Sequence, residues 1–245
     1  MLTEAEIEQF NNQGYLIFES LIQGERLARY KSLFDKIVER GSDLTKEVPH
    51  WTLEYDENKV PIKGRVHKVQ GVCVVEPRVL DLAKEPAILD RVEALLGPNL
   101  DIFGTKFFPK FPNGGTSTHW HQDTYYFGTI SEQILSCGIY LEDTDVENGC
   151  LRVIPGSHRD RIIIEHTKDP KDHGSWANVN ESKAVDIVIP AGTVVLFSAN
   201  ILHGAHDNHS DRTRYSTAWH YIPGELNPEM FPRGEYKDRH IVKGE

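Results

Sequence analysis

Cysteine is scarce in this chain: Cys73, Cys137 and Cys150 are the only three in 245 residues, and no two form a CxxC pair. An odd count without that spacing reads as a reduced cytosolic protein with mostly buried thiols. Long apolar runs are missing as well, and nothing approaches the roughly 20 residues that a membrane span needs. No basic cluster is present, and the formal net charge is −10 with a pI of about 5.6, which argues against nucleic acid as a partner. The opening MLTEAEIEQF is acidic and polar, unlike a secretory signal. Internal repeats and low-complexity tracts are absent. What remains is ordinary for a soluble globular protein: 39% hydrophobic and 26% charged residues. The length suits one domain of the larger all-β kind, taken as residues 1–245. Histidine is the residue in good supply, with 12 copies.

Helical signals come first along the chain. Thr3 and Glu6 have capping-box spacing and open a short helix that ends near Asn12. Gly14 permits a turn into the apolar run Tyr15–Phe18. Leu27, Tyr30, Phe34 and Ile37 recur at helical spacing within 24–40. Residues 41–66 lack periodicity and read as a long loop. Pro86 starts a further helix, whose face of Ile88, Leu89, Val92, Leu95 and Leu96 runs to Gly97. After Gly97 the character changes to short β-rich runs: 101–111, 116–121, 134–142, 151–154, 185–189, 193–197 and 214–221. Helices followed by strands exclude βαβ alternation and hence a Rossmann fold; a sandwich or barrel fits better. Residues 166–182 are polar and irregular, and read either as a lid or as a solvated connector.

Two His-x-Asp pairs occur, His121/Asp123 and His158/Asp160. On a strand, positions i and i+2 face the same way, so such a pair can bind one ion side by side. A distant second histidine would complete a two-His-one-carboxylate face, the arrangement that suits non-haem Fe(II). His121 has the better context: it ends a strand-like stretch, and Tyr125, Tyr126 and Phe127 follow as pocket walls. His158 follows the turn Pro155-Gly156-Ser157 and reads as structural. His203 is the candidate second histidine, since a buried-type strand precedes it and Gly204 allows close backbone approach. His206 and His209 compete with it, but lie in a polar run that reads as a solvated turn. Arg214 and Ser216 share a strand face and offer a seat for a carboxylate. Spacing alone leaves Arg214 open between that role and a surface strand residue.

Four blocks of this sequence resemble the phytanoyl-CoA dioxygenase family. They are LTEAEIEQFNNQGYLIF at 2–18, HQDTYYF at 121–127, NGCLRVIPGSH at 148–158 and HGAHDNHSDRTR at 203–214. The resemblance implies a mainly β fold, a double-stranded β-helix or jelly roll with flanking N-terminal α-helices. It implies Fe(II) at His121, Asp123 and His203, with 2-oxoglutarate and O2 as co-substrates. Arg214 would hold the distal carboxylate of 2-oxoglutarate, with Ser216 beside it. Lys68 and Lys106 fall at further co-substrate or pocket positions, with an exposed strand residue as the other reading of each. Gly138 stands where many members place a Trp. In related halogenases a small residue replaces the carboxylate ligand; Asp123 is present, which favours hydroxylation of a C–H bond in a small-molecule metabolite. The competing readings are a cupin-like isomerase or hydrolase, and a non-catalytic binding module on the same fold.

Overall fold

The computed structural model of the protein describes residues 2–115, 118–168, 174–233 and 238–244. Helix α1 (Glu4–Gln13) opens with the expected capping box, in which the Thr3 hydroxyl accepts from the Glu6 N–H and the Glu6 carboxylate accepts from the Thr3 N–H. Gly14 closes it at φ 83° and leads into β1 (Tyr15–Phe18). A Cβ at Gly14 would lie 2.5 Å from the His158 ring, so only glycine fits that contact. His158 Nε2 also lies 3.2 Å from the Asn11 carbonyl. The second His-x-Asp pair therefore ties the PGSH turn to the N-terminus, the structural role its sequence context suggests.

Helix α2 (Gly24–Gly41) buries Tyr30, Leu33, Phe34 and Ile37 along one stripe. The stretch expected to be a long loop instead contains a hairpin, β2 (Trp51–Tyr55) and β3 (Pro61–Gln70). Its register shifts twice and most of its side chains stay partly exposed, so the period-2 signal is broken. Two single-turn helices, α3 (Val72–Val75) and α4 (Leu80–Ala83), precede α5 (Pro86–Leu96), which has proline in its first turn.

The β-rich part follows as β4 (Leu100–Lys110), β5 (Thr118–His121), helix α6 (Asp123–Phe127), β6 (Leu135–Tyr140) and β7 (Leu151–Val153). Thr116, the expected start of β5, lies outside the described residues. The polar stretch 166–182 carries a small hairpin, β8 (His166–Lys168) and β9 (Ser175–Ala177), with 169–173 outside the described residues. Then come β10 (Val185–Ile187), β11 (Thr193–Ser198), β12 (His203–Ala205), β13 (Arg214–Pro223) and β14 (His240–Lys243).

These strands form a large antiparallel sheet in the order β1-β11-β6-β13-β4-β3-β2, with β14 on β4, and a smaller one in the order β10-β7-β12-β5. With α2, α5 and α1 at 18, 11 and 10 residues, the class is mixed α/β with large antiparallel sheets. One face of the large sheet packs on the helices: Cys137, Ile139, Val194, Leu196, Trp219 and Tyr221 join Phe34, Ile37 and Ile88 in the main core. The alternate residues Tyr140, Val195 and Phe197 face the other way and meet Leu151, Val153 and Ile187 of the small sheet. Strands buried on both faces lose simple alternation and read as continuous apolar runs.

All three cysteines are buried and free. Burial pushes the thiol of Cys73 up to about 12 and that of Cys150 up to about 11, and raises Cys137 as well. No helix among the described residues is long and apolar enough to cross a membrane.

Candidate metal centre

The sheets place His121 and His203 opposite each other as Cα partners at the β5–β12 pairing. Gly204 makes this pairing possible, because a Cβ there would sit 2.9 Å from the Thr118 carbonyl oxygen. The two imidazole centroids are 4.1 Å apart. Asp123 does not reach them by strand alternation. The strand ends at His121, Gln122 turns the chain, and Asp123 is the first residue of α6. The result is a cluster in which one ligand atom from each of His121, Asp123 and His203 lies within 4.8 Å of the others. Asp123 Oδ1 is 3.7 Å from His121 Nε2, and Oδ2 is 3.9 Å from His203 Nε2.

Backbone carbonyls set the tautomers. His121 Nδ1 lies 2.8 Å from His119 O, and His203 Nδ1 lies 3.1 Å from Ile201 O. Each Nδ1 donates there, which leaves an Nε2 lone pair aimed at the carboxylate. Burial pushes His203 down to about 4, so it is neutral at pH 7. Burial alone would raise Asp123, but the imidazoles of His203 and His220 and the Lys106 ammonium outweigh it and hold the carboxyl well below its usual range. A buried carboxylate among imidazoles with free lone pairs is a donor set that a divalent cation completes.

Neighbouring side chains point away from the cluster and anchor it. Gln122 Nε2 donates to Ile162 O and Asn200 O, both at 2.9 Å, and Gln122 Oε1 accepts from Ile164 N at 3.0 Å. Trp120 lies under the Arg152 guanidinium at 4.9 Å. Tyr126 meets the His121 ring edge-on at 5.6 Å, and its hydroxyl accepts from Ser175 N at 3.2 Å. Tyr125 stacks on His166 at 4.0 Å. The β8–β9 hairpin therefore borders the site through these two tyrosines.

The cluster opens into a cavity of about 640 Å³, including its mouth. Its walls are the polar face of the large sheet: Lys106, Phe108 and Lys110 from β4, Ser136, Gly138 and Tyr140 from β6, and Arg214, Ser216 and His220 from β13. Lys68 is not among its lining residues; it lies on β3, paired with Thr52. Arg214 and Lys110 are register partners at the end of β4 and β13, and both are buried. Arg214 donates from Nη1 to Ser216 Oγ and from Nη2 to Gly149 O at 2.8 Å. Lys110 Nζ donates to the carbonyls of His206 and Gly149. Among the described residues neither side chain has a carboxylate within ion-pair distance, and the buried Arg214 Nε has no hydrogen-bond partner. Burial, then Arg214, pushes Lys110 well below the ordinary lysine range. Such a pole calls for an anion.

Sequence reading missed Lys110, Ser136 and His220. The available signal was period 2: Lys110 is two and four positions from Phe108 and Lys106, and Ser136 is two positions from Gly138. The Asn148–His158 block braces the pole from outside. Gly149 supplies the carbonyl for Arg214, and Asn148 accepts from Asp145 N and donates to Asp143 O, each at 2.8 Å. A second cluster, Cys150, Asp186 and His206, also falls within 4.8 Å. There Asp186 Oδ1 already accepts from His206 Nε2 at 2.8 Å and Arg152 Nε at 3.1 Å, so it reads as an ion-pair network.

Comparison with known proteins places this geometry. The chain is 24% identical over 238 residues to a probable alpha-ketoglutarate-dependent hypophosphite dioxygenase of Stutzerimonas stutzeri, covering 94% of this chain and 82% of that one. It is 27% identical over 248 residues to human peroxisomal phytanoyl-CoA dioxygenase, covering 93% and 70%. The crystal structure of EctD from S. alaskensis with bound Fe superposes with a TM-score of 0.74 at 19% identity, covering 100% of this chain and 87% of that one. The family model for phytanoyl-CoA dioxygenase (PhyH) matches residues 10–216, so this chain belongs to the phytanoyl-CoA dioxygenase family.

Proposed function

We propose that the protein is an Fe(II)- and 2-oxoglutarate-dependent dioxygenase that hydroxylates a C–H bond of a small-molecule metabolite. One observation carries the reading. A two-His-one-carboxylate cluster and a buried Arg214/Lys110 pole, with no carboxylate in ion-pair distance among the described residues, share one cavity. The residues fit both groups. His121, His203 and Asp123 supply two imidazole nitrogens and a carboxylate, a donor set that leaves three positions open on Fe(II). Arg214 supplies a buried donor without a partner, as a carboxylate seat requires.

In this reading His121, Asp123 and His203 hold the metal, and the carbonyls of His119 and Ile201 keep the imidazoles in the ligating tautomer. Arg214 and Ser216 receive the distal carboxylate of 2-oxoglutarate, with Lys110 adding a donor. When bound, iron supplies the chemistry that couples O2 to oxidation of 2-oxoglutarate and substrate. The chain's own part is to orient both reactants and to exclude water. Lys106 faces the metal end of the cavity. Lys68 lies outside the lining and takes no part in this reading. The two antiparallel sheets, with the cavity against the large one, are read as a double-stranded β-helix, and residues 1–245 as one catalytic domain. The cavity is of the size that small-molecule sites have, which supports a small-molecule substrate.

The test is succinate formation by anaerobically prepared protein given Fe(II), 2-oxoglutarate and O2, with and without a panel of metabolites. Slow uncoupled succinate that disappears in Asp123→Ala is the expected result. Iron-loaded protein that makes no succinate with any metabolite would remove 2-oxoglutarate and favour the cupin-like chemistry.

A further inference from the structure

Beyond the ligands, the polar face of the large sheet carries a chain of buried groups that ends on Asp123. Ser136 Oγ lies 2.6 Å from Asp123 Oδ2. The carboxylate can only accept, so the single hydroxyl proton of Ser136 is committed to it. The second contact of Ser136 Oγ, 3.0 Å from His220 Nδ1, must then run the other way, with Nδ1–H donating to the hydroxyl oxygen. His220 Nε2 faces the Lys106 ammonium at 3.5 Å. An ammonium has donors only, so a hydrogen on Nε2 would set donor against donor; Nε2 is the acceptor. Each link is thereby fixed: Lys106 to His220, His220 to Ser136, Ser136 to Asp123. Ser136 and His220 are 1% and 2% exposed, so water does not compete for these bonds. The ring of His220 is clamped by Phe103 at 5.2 Å and Phe127 at 5.0 Å.

We propose that Ser136 and His220 are positioning residues that fix which oxygen of Asp123 meets the metal. The two oxygens lie at similar distances from the ligand imidazoles, Oδ1 3.7 Å from His121 Nε2 and Oδ2 3.9 Å from His203 Nε2, but Oδ2 carries the Ser136 hydrogen bond and Oδ1 is the oxygen left to ligate. A carboxylate so held favours ligation through the other oxygen over binding through both, which keeps further coordination positions free for reactants. Hydrogen bonds to ligating carboxylates act in this way generally, and their loss costs roughly 10–100-fold in metal affinity. This inference rests on the metal reading above.

Anaerobic titration with Co(II), followed by its d–d absorption, tests it without turnover. Ser136→Ala removes one oxygen from a buried site and should weaken Co(II) binding by about 10–100-fold. The d–d band should also change shape as the carboxylate rotates. His220→Asn keeps an N–H near the Nδ1 position and should bind better than His220→Leu. Melting curves of the metal-free variants control for folding. Wild-type affinity and an unchanged band in Ser136→Ala would overturn the positioning role. Equal losses in His220→Asn and His220→Leu would reduce His220 to packing. No Co(II) binding by the wild type would overturn the metal reading itself, a result distinct from either.

Discussion

Arg214 and Lys110 are buried side by side with backbone carbonyls and a hydroxyl as their partners. Burial and the neighbouring guanidinium hold the Lys110 amine well below the ordinary lysine range, and Arg214 lacks full compensation until an anion arrives. Arg214→Ala should therefore raise the KM for 2-oxoglutarate by on the order of 100-fold, in line with truncating one partner of a buried charge pair. The melting temperature of the free protein should change little, because Arg214 has no ion pair among the described residues to lose. A collapsed melting temperature with unchanged KM would make Arg214 a structural residue. Spacing in the sequence offers His121, Asp123 and His203 only as candidates beside a second His-x-Asp pair and leaves Arg214 open; the family resemblance is what singles out these four. Ser136 and His220 are not singled out by either. A serine and a histidine inside strands are common, and only the fold reveals that β6 and β13 turn both toward Asp123.

At the scale of elements, the site depends on two junctions. The β5–α6 turn delivers Asp123, and the β5–β12 pairing delivers His203 opposite His121. Gly204→Ala should push β12 away from β5, since the added carbon meets the Thr118 carbonyl oxygen at 2.9 Å. Overpacking of this kind costs about 1–3 kcal/mol. Urea unfolding should show that loss, and a Co(II) titration should show weaker binding because His203 moves with the strand. Unchanged Co(II) affinity would mean that the strands adjust without moving the imidazole. The strands after Gly97 can be located from their composition, whereas the β2–β3 hairpin cannot. Val66 and Val69 are its fully buried residues on β3 and sit three apart, out of step with a pleated strand. Pairing order is also hidden: β1 lies beside β11 with Tyr15 opposite Phe197, a contact for which local sequence holds no signal.

For the molecule as a whole, acid sensitivity follows from buried imidazoles, of which His203 and His220 are shifted furthest, with His158, His166 and His240 lowered as well. Burial pushes His203 down to about 4 and His220 down to about 3, against an ordinary value near 6.5. Between pH 6.5 and about 4 the unfolded chain takes up protons that the folded chain refuses. Stability of the metal-free protein is thus fully present above pH 6.5 and falls as pH drops through that window. The slope is about 1.4 kcal/mol per pH unit for each histidine. Urea midpoints at pH 7 and pH 5 measure it, and His220→Asn should flatten the dependence by about one histidine's share. Equal slopes in the variant and the wild type would place the acid response elsewhere. The buried thiols have a different consequence. An oxygen-using centre that misfires releases peroxide, which attacks the thiolate form of cysteine. Cys73, Cys137 and Cys150 are at most 1% exposed and held in the thiol form, whereas Met230 is 81% exposed. Intact mass after mild peroxide treatment should show oxidation at Met230 and none at cysteine, and the protein should keep in air without a reductant. A single cysteine added to the surface would then take a maleimide label alone, with the three natural ones left in place.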